Sequence, residues 1–299
     1  MSIFLNNILP AFLIIGVGVL LDRKFTIDRK SISRIAIYVL LPCLVFTYLI
    51  ESTVDPRQFV AIILFVIAIG LVMSALGLGV GHALRWPARR IDALMLSVAF
   101  LNSGNFGLSI IAFAFGDKGL EFGAICYIAS NLMFNTLGAF IAARSNGGGS
   151  RKALLEIFKL PGLYAFALAL LLRAAGIAVP APLFKPISLV SRAAVPTMLL
   201  MLGFQLSQSR IGKQYKDVAI GAFMRLVIGA LVAIGLAPLL GLQGLARQVA
   251  IIEGSTPTAV NSVLLAVQFD ADSEYVSNVV FITTLLSGVT LTILLAWLT

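Results

Sequence analysis

Charge is what this sequence has least of: Asp, Glu, Lys and Arg together make up 12% of its 299 residues. A soluble domain of that length carries roughly a quarter, so the chain cannot clothe a water-facing surface in the usual way. Histidine occurs once, as His82, and cysteine twice, as Cys43 and Cys126. That leaves too few ligands for a structural metal site and no disulfide framework. Both cysteines fall inside apolar runs and read as small buried hydrophobes. His82 sits at the edge of an apolar block, far from Ser103-Gly104, which itself lacks the G-x-S-G setting of a serine protease. No pair of aspartates lies deep in an apolar run either, so an intramembrane hydrolase has no machinery to work with. No enzymatic activity, cofactor or metal is expected.

What the chain has in excess is apolar residues, 60% of the total, with a mean hydropathy of +1.02. They come in ten blocks of about the 20 residues that span a bilayer, near 3–21, 31–50, 58–82, 91–115, 119–143, 157–176, 184–206, 217–240, 246–268 and 275–298. The stretch Ser2 to Leu21 has no basic n-region, and Asp22, Arg23 and Lys24 follow the apolar run, so it reads as a retained helix. The net charge of +9 therefore speaks of topology and not of nucleic acid. Arg23, Lys24, Arg29, Lys30, Arg85, Arg89, Arg90, Arg144, Arg151, Lys152, Lys159, Arg210, Lys213 and Lys216 fall in one set of alternate loops; Arg57, Lys118, Arg173, Lys185 and Arg247 fall in the other. The bias puts the first set in the cytoplasm and both termini outside.

The longest polar interruption, 144–152, contains Gly147-Gly148-Gly149 and reads as a linker between a first five-helix unit (1–143) and a second (153–299). Five spans per unit reverse the entry side, so any repeat must be inverted. Pro10 and Pro161, Pro42 and Pro196, and Gly104 and Pro257 recur at offsets of 151 to 154 residues.

Two spans carry a polar cluster at mid-depth: Leu101-Asn102-Ser103-Gly104-Asn105-Phe106-Gly107-Leu108-Ser109 in span 4, and Glu253-Gly254-Ser255-Thr256-Pro257-Thr258-Ala259-Val260-Asn261 in span 9. One such cluster is equally well read as a close-packing site or a kink. Two at equivalent positions point to broken helices at Asn102–Gly107 and Gly254–Thr258. Ser255 or Thr256 is expected as N-cap with Pro257 at the first helical position, and Asn105 in the same role in span 4. Half-helix starts expose N–H groups and a partial positive charge, which suits an anion such as a carboxylate. The expected substrate contacts are Asn102, Ser103, Gly104, Asn105, Ser255, Thr256, Pro257 and Asn261.

Arg192 and Arg225 are placed at interior depth, where charge marks either function or an ion pair. Arg34 is expected to snorkel. Glu253, the acid deepest in a span, can exchange protons or neutralise an interior arginine. Asp92, Asp117, Glu121 and Glu156 are expected nearer the ends, facing water.

The motifs Asn102-Ser103-Gly104-Asn105-Phe106-Gly107-Leu108, Phe113-Ala114-Phe115-Gly116 and Ser255-Thr256-Pro257-Thr258-Ala259-Val260, with Pro42 and the Pro196–Gln205 segment, resemble the auxin efflux carrier family in its bacterial branch. The likeness covers essentially the whole chain. It implies an all-α integral membrane fold of ten helices shared with bile-acid sodium symporters, with a scaffold domain and a core domain where spans 4 and 9 cross. It also implies elevator-like transport of organic anions such as malonate, malate or auxin, and a homodimer formed through the scaffold. Many members have proline where this chain has Ser109, so the span 4 break must rest on Gly104, Asn105 and Gly107. The expectation is thus a secondary carrier for a small organic anion in the plasma (inner) membrane, driven by protons or by no ion ahead of Na⁺. A sodium-coupled symporter of the bile-acid type, a channel and a non-transporting sensor are the alternatives.

Overall fold

The computed structural model describes residues 2–138, 140–141, 160–208 and 215–299, so the expected 144–152 linker and Glu156 lie outside the described residues. Among them there is no β-strand, and the elements are helices. Six are long and apolar enough to cross a membrane: α1 (Phe4–Lys24), α2 (Arg29–Ile50), α3 (Pro56–Ala83), α8 (Ala181–Leu206), α9 (Tyr215–Leu239) and α12 (Ser273–Leu298). Shorter helices lie between them: α4 (Ala88–Ala99), α5 (103–115), α6 (117–138), α7 (Pro161–Ala174), α10 (Gly244–Gly254) and α11 (Ser262–Gln268). Gly116 divides α5 from α6 with φ 60° and ψ −154°, a conformation that glycine adopts without strain.

Local chemistry explains the ends and irregularities. Asp28 caps α2 by accepting from the N–H groups of Lys30 and Ser31, and Asp272 caps α12 through the N–H of Tyr275. The wide π-turns Phe4–Ile8 and Ala36–Leu40 lie just ahead of Pro10 and Pro42. A proline ring clashes with the carbonyl four residues back, and a widened turn moves that carbonyl aside. Pro196 acts in the same way on α8, where the helix loosens at Arg192-Ala193, four and three residues earlier.

The helices pack in two groups. In the first, α1 lies along α8, and α2 packs on α7 and α8. In the second, α3 packs on α4, α9 and the α5/α6 pair, α10 on α9 and α6, and α12 on α4, α9 and α11. At the α1–α8 crossing the two backbones touch: a Cβ on Gly203 would stand 2.8 Å from Gly18 Cα and 2.9 Å from Val19 N. Backbone cannot yield as a side chain can, so Gly203→Val is expected to cost about 3 kcal/mol and to lower the melting temperature in detergent clearly. Gly16→Ala, where a Cβ meets nothing within 4 Å, is the control and should leave the melting curve in place.

Charges collect where helices end. Arg90 bonds Asp217 and Asp272, each at 2.5 Å, and lies over the rings of Tyr275 and Trp86, tying together the ends of α4, α9 and α12. Two acids expected to face water are buried instead. Asp92 lies inside the packed end of α4, and Glu121 turns inward to accept from Thr53 N–H at 2.9 Å and from Lys118 at 2.9 Å. Helix phase, which depth along the sequence does not convey, turns them inward. Asp117, Arg34 and His82 are exposed.

Candidate functional site at the helix crossing

α4 stops at Ala99 because Phe100 is extended (φ −105°, ψ 124°), and α10 stops at Gly254. Across the gap the two unwound segments pair antiparallel at Leu101 and Thr258. Asn102 N–H donates to Pro257 O at 3.0 Å, and Ala259 N–H donates to Phe100 O at 2.9 Å. Thr258 ties the crossing further, its hydroxyl donating to Ser97 O at 2.7 Å and its N–H to Thr283 Oγ1 at 3.2 Å. Broken backbone inside a bilayer must find partners within the protein, and this short two-stranded contact supplies them.

Arg225, fully buried on α9, completes the set. Its Nε donates to Thr256 O at 2.8 Å, Nη2 to Gly254 O at 2.8 Å and Nη1 to Val98 O at 3.0 Å. These carbonyls belong to the C-terminal ends of α4 and α10, where helix dipoles favour a cation. One guanidinium, with its fixed fork of donors, thus holds both broken ends.

The restarts differ from the expected caps. α5 begins at Ser103 with Asn102 as N-cap, so Asn105 lies inside the first turn. α11 begins at Ser262 with Asn261 as N-cap, and 255–261 is unwound, so Pro257 is not a first helical residue. The pairing at the crossing sets these positions: Pro257 and Thr258 must be extended to meet Leu101, which pushes the restart downstream.

A cavity of about 240 Å³ opens beside the crossing, somewhat below the roughly 300–1,000 Å³ usual for ligand pockets. Of the residues expected there, Asn102, Ser103, Gly104, Asn105 and Asn261 line it. Ser255, Thr256 and Pro257 do not: the two hydroxyls donate to Ile251 O and Glu253 O within their own turn, and Pro257 serves the pairing. Arg225 is consumed by backbone carbonyls. Arg192 is exposed at the α8 turn and does not reach the crossing, because the loosening before Pro196 turns it outward. Walls not foreseen come from α6 (Tyr127, Ser130, Asn131, Asn135), from Met198 on α8 and from the start of α7 at Leu160-Pro161-Gly162. The α6 set was visible as a polar stripe at helical spacing in an apolar span.

Glu253 stands behind this cavity. It is fully buried, and neither carboxyl oxygen has a hydrogen-bond partner among the described residues. The carboxyl group packs against Gly107 in the first turns of α5, where a Cβ would come within 2.7 Å of its Cδ. The Ser103 side chain lies beside this carboxyl group.

The family model described as "Membrane transport protein" matches residues 3–151 and 149–295. The chain belongs to that family, the family of the auxin efflux carriers. An "Uncharacterized transporter" of Methanothermobacter thermautotrophicus is 30% identical over 271 residues, covering 88% of this chain and 87% of that protein. A second "Uncharacterized transporter", of Methanocaldococcus jannaschii, is 25% identical over 268 residues, covering 86% of each. A Rhizobium meliloti protein named "Putative malonate transporter" is 26% identical over 301 residues, covering 96% of this chain and 93% of its own. The names are those of transporters, in keeping with a multi-pass helical membrane protein.

Proposed function

We propose that this protein is a secondary carrier that moves a small organic anion across the membrane by alternating access, with the substrate held at the crossing of α4–α5 and α10–α11. The observation that carries the reading is the cavity itself, which meets the crossing at the start of α5, where Asn102 Nδ2 is buried with no hydrogen-bond partner among the described residues. Unsatisfied buried donors are costly, and a carboxylate satisfies them.

With the α4–α5 and α10–α11 pairs each counted as one broken span and α6 and α7 as one each, the described helices support ten spans. The two stretches matched by the family model overlap at 149–151, within the glycine-rich 144–152, which supports two inverted five-helix units. In this reading α1, α2, α7 and α8 are the scaffold and dimer surface, and the remaining helices move as an elevator. Both termini lie outside the inner membrane. The cavity reaches toward the start of α2 (Ser33) and the ends of α6 and α8, next to the basic loops. At the other end Tyr48 donates to Asp117 at 2.8 Å and Thr53 to Glu121, closing α2 against α6. That arrangement fits a state open to the cytoplasm. Glu253 is the group assigned to proton coupling.

Uptake of labelled carboxylates into proteoliposomes tests the reading. Asn105→Ala and Pro257→Ala are each expected to reduce the initial rate at least tenfold, the first at the cavity and the second by reshaping the pairing. Normal transport by both variants would sink the crossing as the substrate site. Choline in place of sodium is expected to leave uptake unchanged; a sodium requirement would instead favour a symporter of the bile-acid type.

A further inference from the structure

Alternating access requires one group of helices to shift against another, and on the reading just given the boundary runs between α1, α2, α7 and α8 and the remaining helices. Near the crossing, Phe12 of α1 meets Phe106 of α5 edge-on, with ring centroids 6.0 Å apart, and lies against Gly288 of α12, while Met198 of α8 lies over Gly104. These contacts are apolar, and apolar contact is non-directional, so it tolerates sliding. The buried ties of Arg225 and Arg90 each join helices of the second group to one another, so neither has to break.

The far end of α2 is held differently. Past Gly116, α6 begins with Asp117 and Lys118, and Glu121 follows one turn on. Asp117 and Glu121 are four residues apart and share a helix face. That face meets the end of α2 and the short segment 51–55 that carries the chain from α2 into α3. Tyr48 Oη donates to Asp117 Oδ1 at 2.8 Å and Thr53 N–H to Glu121 Oε2 at 2.9 Å. Lys118 Nζ donates to Glu121 Oε1 at 2.9 Å and to Thr53 Oγ1 at 3.4 Å, and within the segment Val54 N–H donates to Ser52 Oγ at 3.2 Å. A displacement of about 1 Å takes a hydrogen bond out of range, so these bonds fix one position of α2 against α6. Asp117 and Lys118 are exposed, so water can replace their partners when the bonds part. On the same face of α2, Leu44 and Leu41 stand four and seven residues before Tyr48; Leu44 is buried and Leu41 lines the cavity. The stripe therefore runs from the cavity to the Asp117 bond.

We propose that the first turn of α6 is a latch: Asp117 and Glu121, closed on Tyr48 and Thr53, hold the protein in the state whose cavity reaches Ser33, and they release α2 in each cycle to open the opposite side. Leu44 is then the plug that the latch keeps in place.

The test is the rate of maleimide labelling of single reporter cysteines in the full-length protein in detergent, with Cys43→Ser and Cys126→Ala as background. Leu44→Cys reports on the latched side and Ser33→Cys on the open mouth of the cavity. Each reporter is combined with Glu121→Ala or with Tyr48→Phe, which keeps the ring and carries the test if Glu121→Ala does not fold. Either substitution is expected to speed labelling at Leu44→Cys at least fivefold and to slow it at Ser33→Cys at least threefold. Glu121→Gln, which keeps an acceptor for the Thr53 N–H, is expected to stay within twofold of the unsubstituted reporters. Unchanged rates at both reporters, in variants that melt like the parent, would overturn the latch. So would faster labelling at Leu44→Cys with Ser33→Cys unchanged, which is local fraying and not a shift of one helix group against the other. Neither rate depends on what is carried, so failure of the latch and failure of carboxylate uptake are read separately.

Discussion

Arg225→Leu is expected to prevent the protein from reaching a stable fold, whereas Arg192→Leu is expected to change little. Both arginines fall at interior depth along the chain, yet their surroundings differ completely. Arg225 is fully buried and gives three hydrogen bonds to Val98, Gly254 and Thr256 carbonyls, while Arg192 is exposed. Removing the guanidinium leaves three carbonyls at broken helix ends with no water to turn to. Each orphaned group costs about 1–3 kcal/mol, and losing a buried charged partner typically costs roughly 3–5 kcal/mol altogether. That is comparable with the whole stability of many domains. Arg225→Lys keeps the charge but replaces a planar fork with a single point donor, so it should recover a minority of the loss. Thermal melting and monodispersity in detergent, followed by uptake for whatever folds, measure this. A variant Arg225→Leu that melts with wild type would show that the carbonyls find other partners and that Arg225 does not hold the crossing.

The contrast between these two arginines marks what was legible in the sequence. The neighbourhood of both broken helices was, because Asn, Gly, Ser and Pro weaken helix propensity wherever they stand; the breaks themselves fall at 100–102 and 255–261 instead of the expected Asn102–Gly107 and Gly254–Thr258, and residues 103–107 are helical. The termini of the half-helices were not, because the restart is set by pairing between segments more than 150 residues apart, Leu101 with Thr258. Depth could be read from spacing, but direction could not. Arg225 looks like a substrate-binding charge until the carbonyls around it are seen, and Glu121 looks water-facing until Thr53 is found on it. Five of the eight expected contacts line the cavity since Asn102 through Asn105 and Asn261 flank the pairing on its open side. Ser255, Thr256 and Pro257 are the pairing or the turn before it.

The division of labour at the crossing follows from helix polarity. Carbonyl ends of α4 and α10 converge on Arg225 and are closed, whereas the start of α5 faces the cavity with Asn102 Nδ2 unpartnered among the described residues. On the proposed reading, a carrier needs a site that is rigid in its scaffold and unsatisfied toward its ligand, and the two sides of the same break would supply the two.

Glu253 is where that logic gives its sharpest expected result: Glu253→Met should raise stability while abolishing pH-dependent transport. Both carboxyl oxygens are buried and unpartnered among the described residues, and the nearest cation of the crossing, Arg225, has its bonds on carbonyls. A group that contributes no hydrogen bond to the fold yet carries the full desolvation cost of two oxygens is a net liability to stability. Replacing it with an apolar side chain of similar length should stabilise the protein by about 1–3 kcal/mol, seen as a higher melting temperature. A purely structural glutamate would behave the opposite way, since its removal would break contacts. Glu253→Gln keeps the shape against Gly107 but can no longer exchange a proton, so it should retain binding of a carboxylate substrate and lose the dependence of uptake on an imposed pH gradient. Wild-type protein is expected to show that dependence, with uptake changing at least fivefold when the gradient is collapsed by an ionophore. Uptake by Glu253→Gln that still follows the gradient would remove Glu253 from coupling, and a fall in melting temperature for Glu253→Met would return it to the structural scaffold.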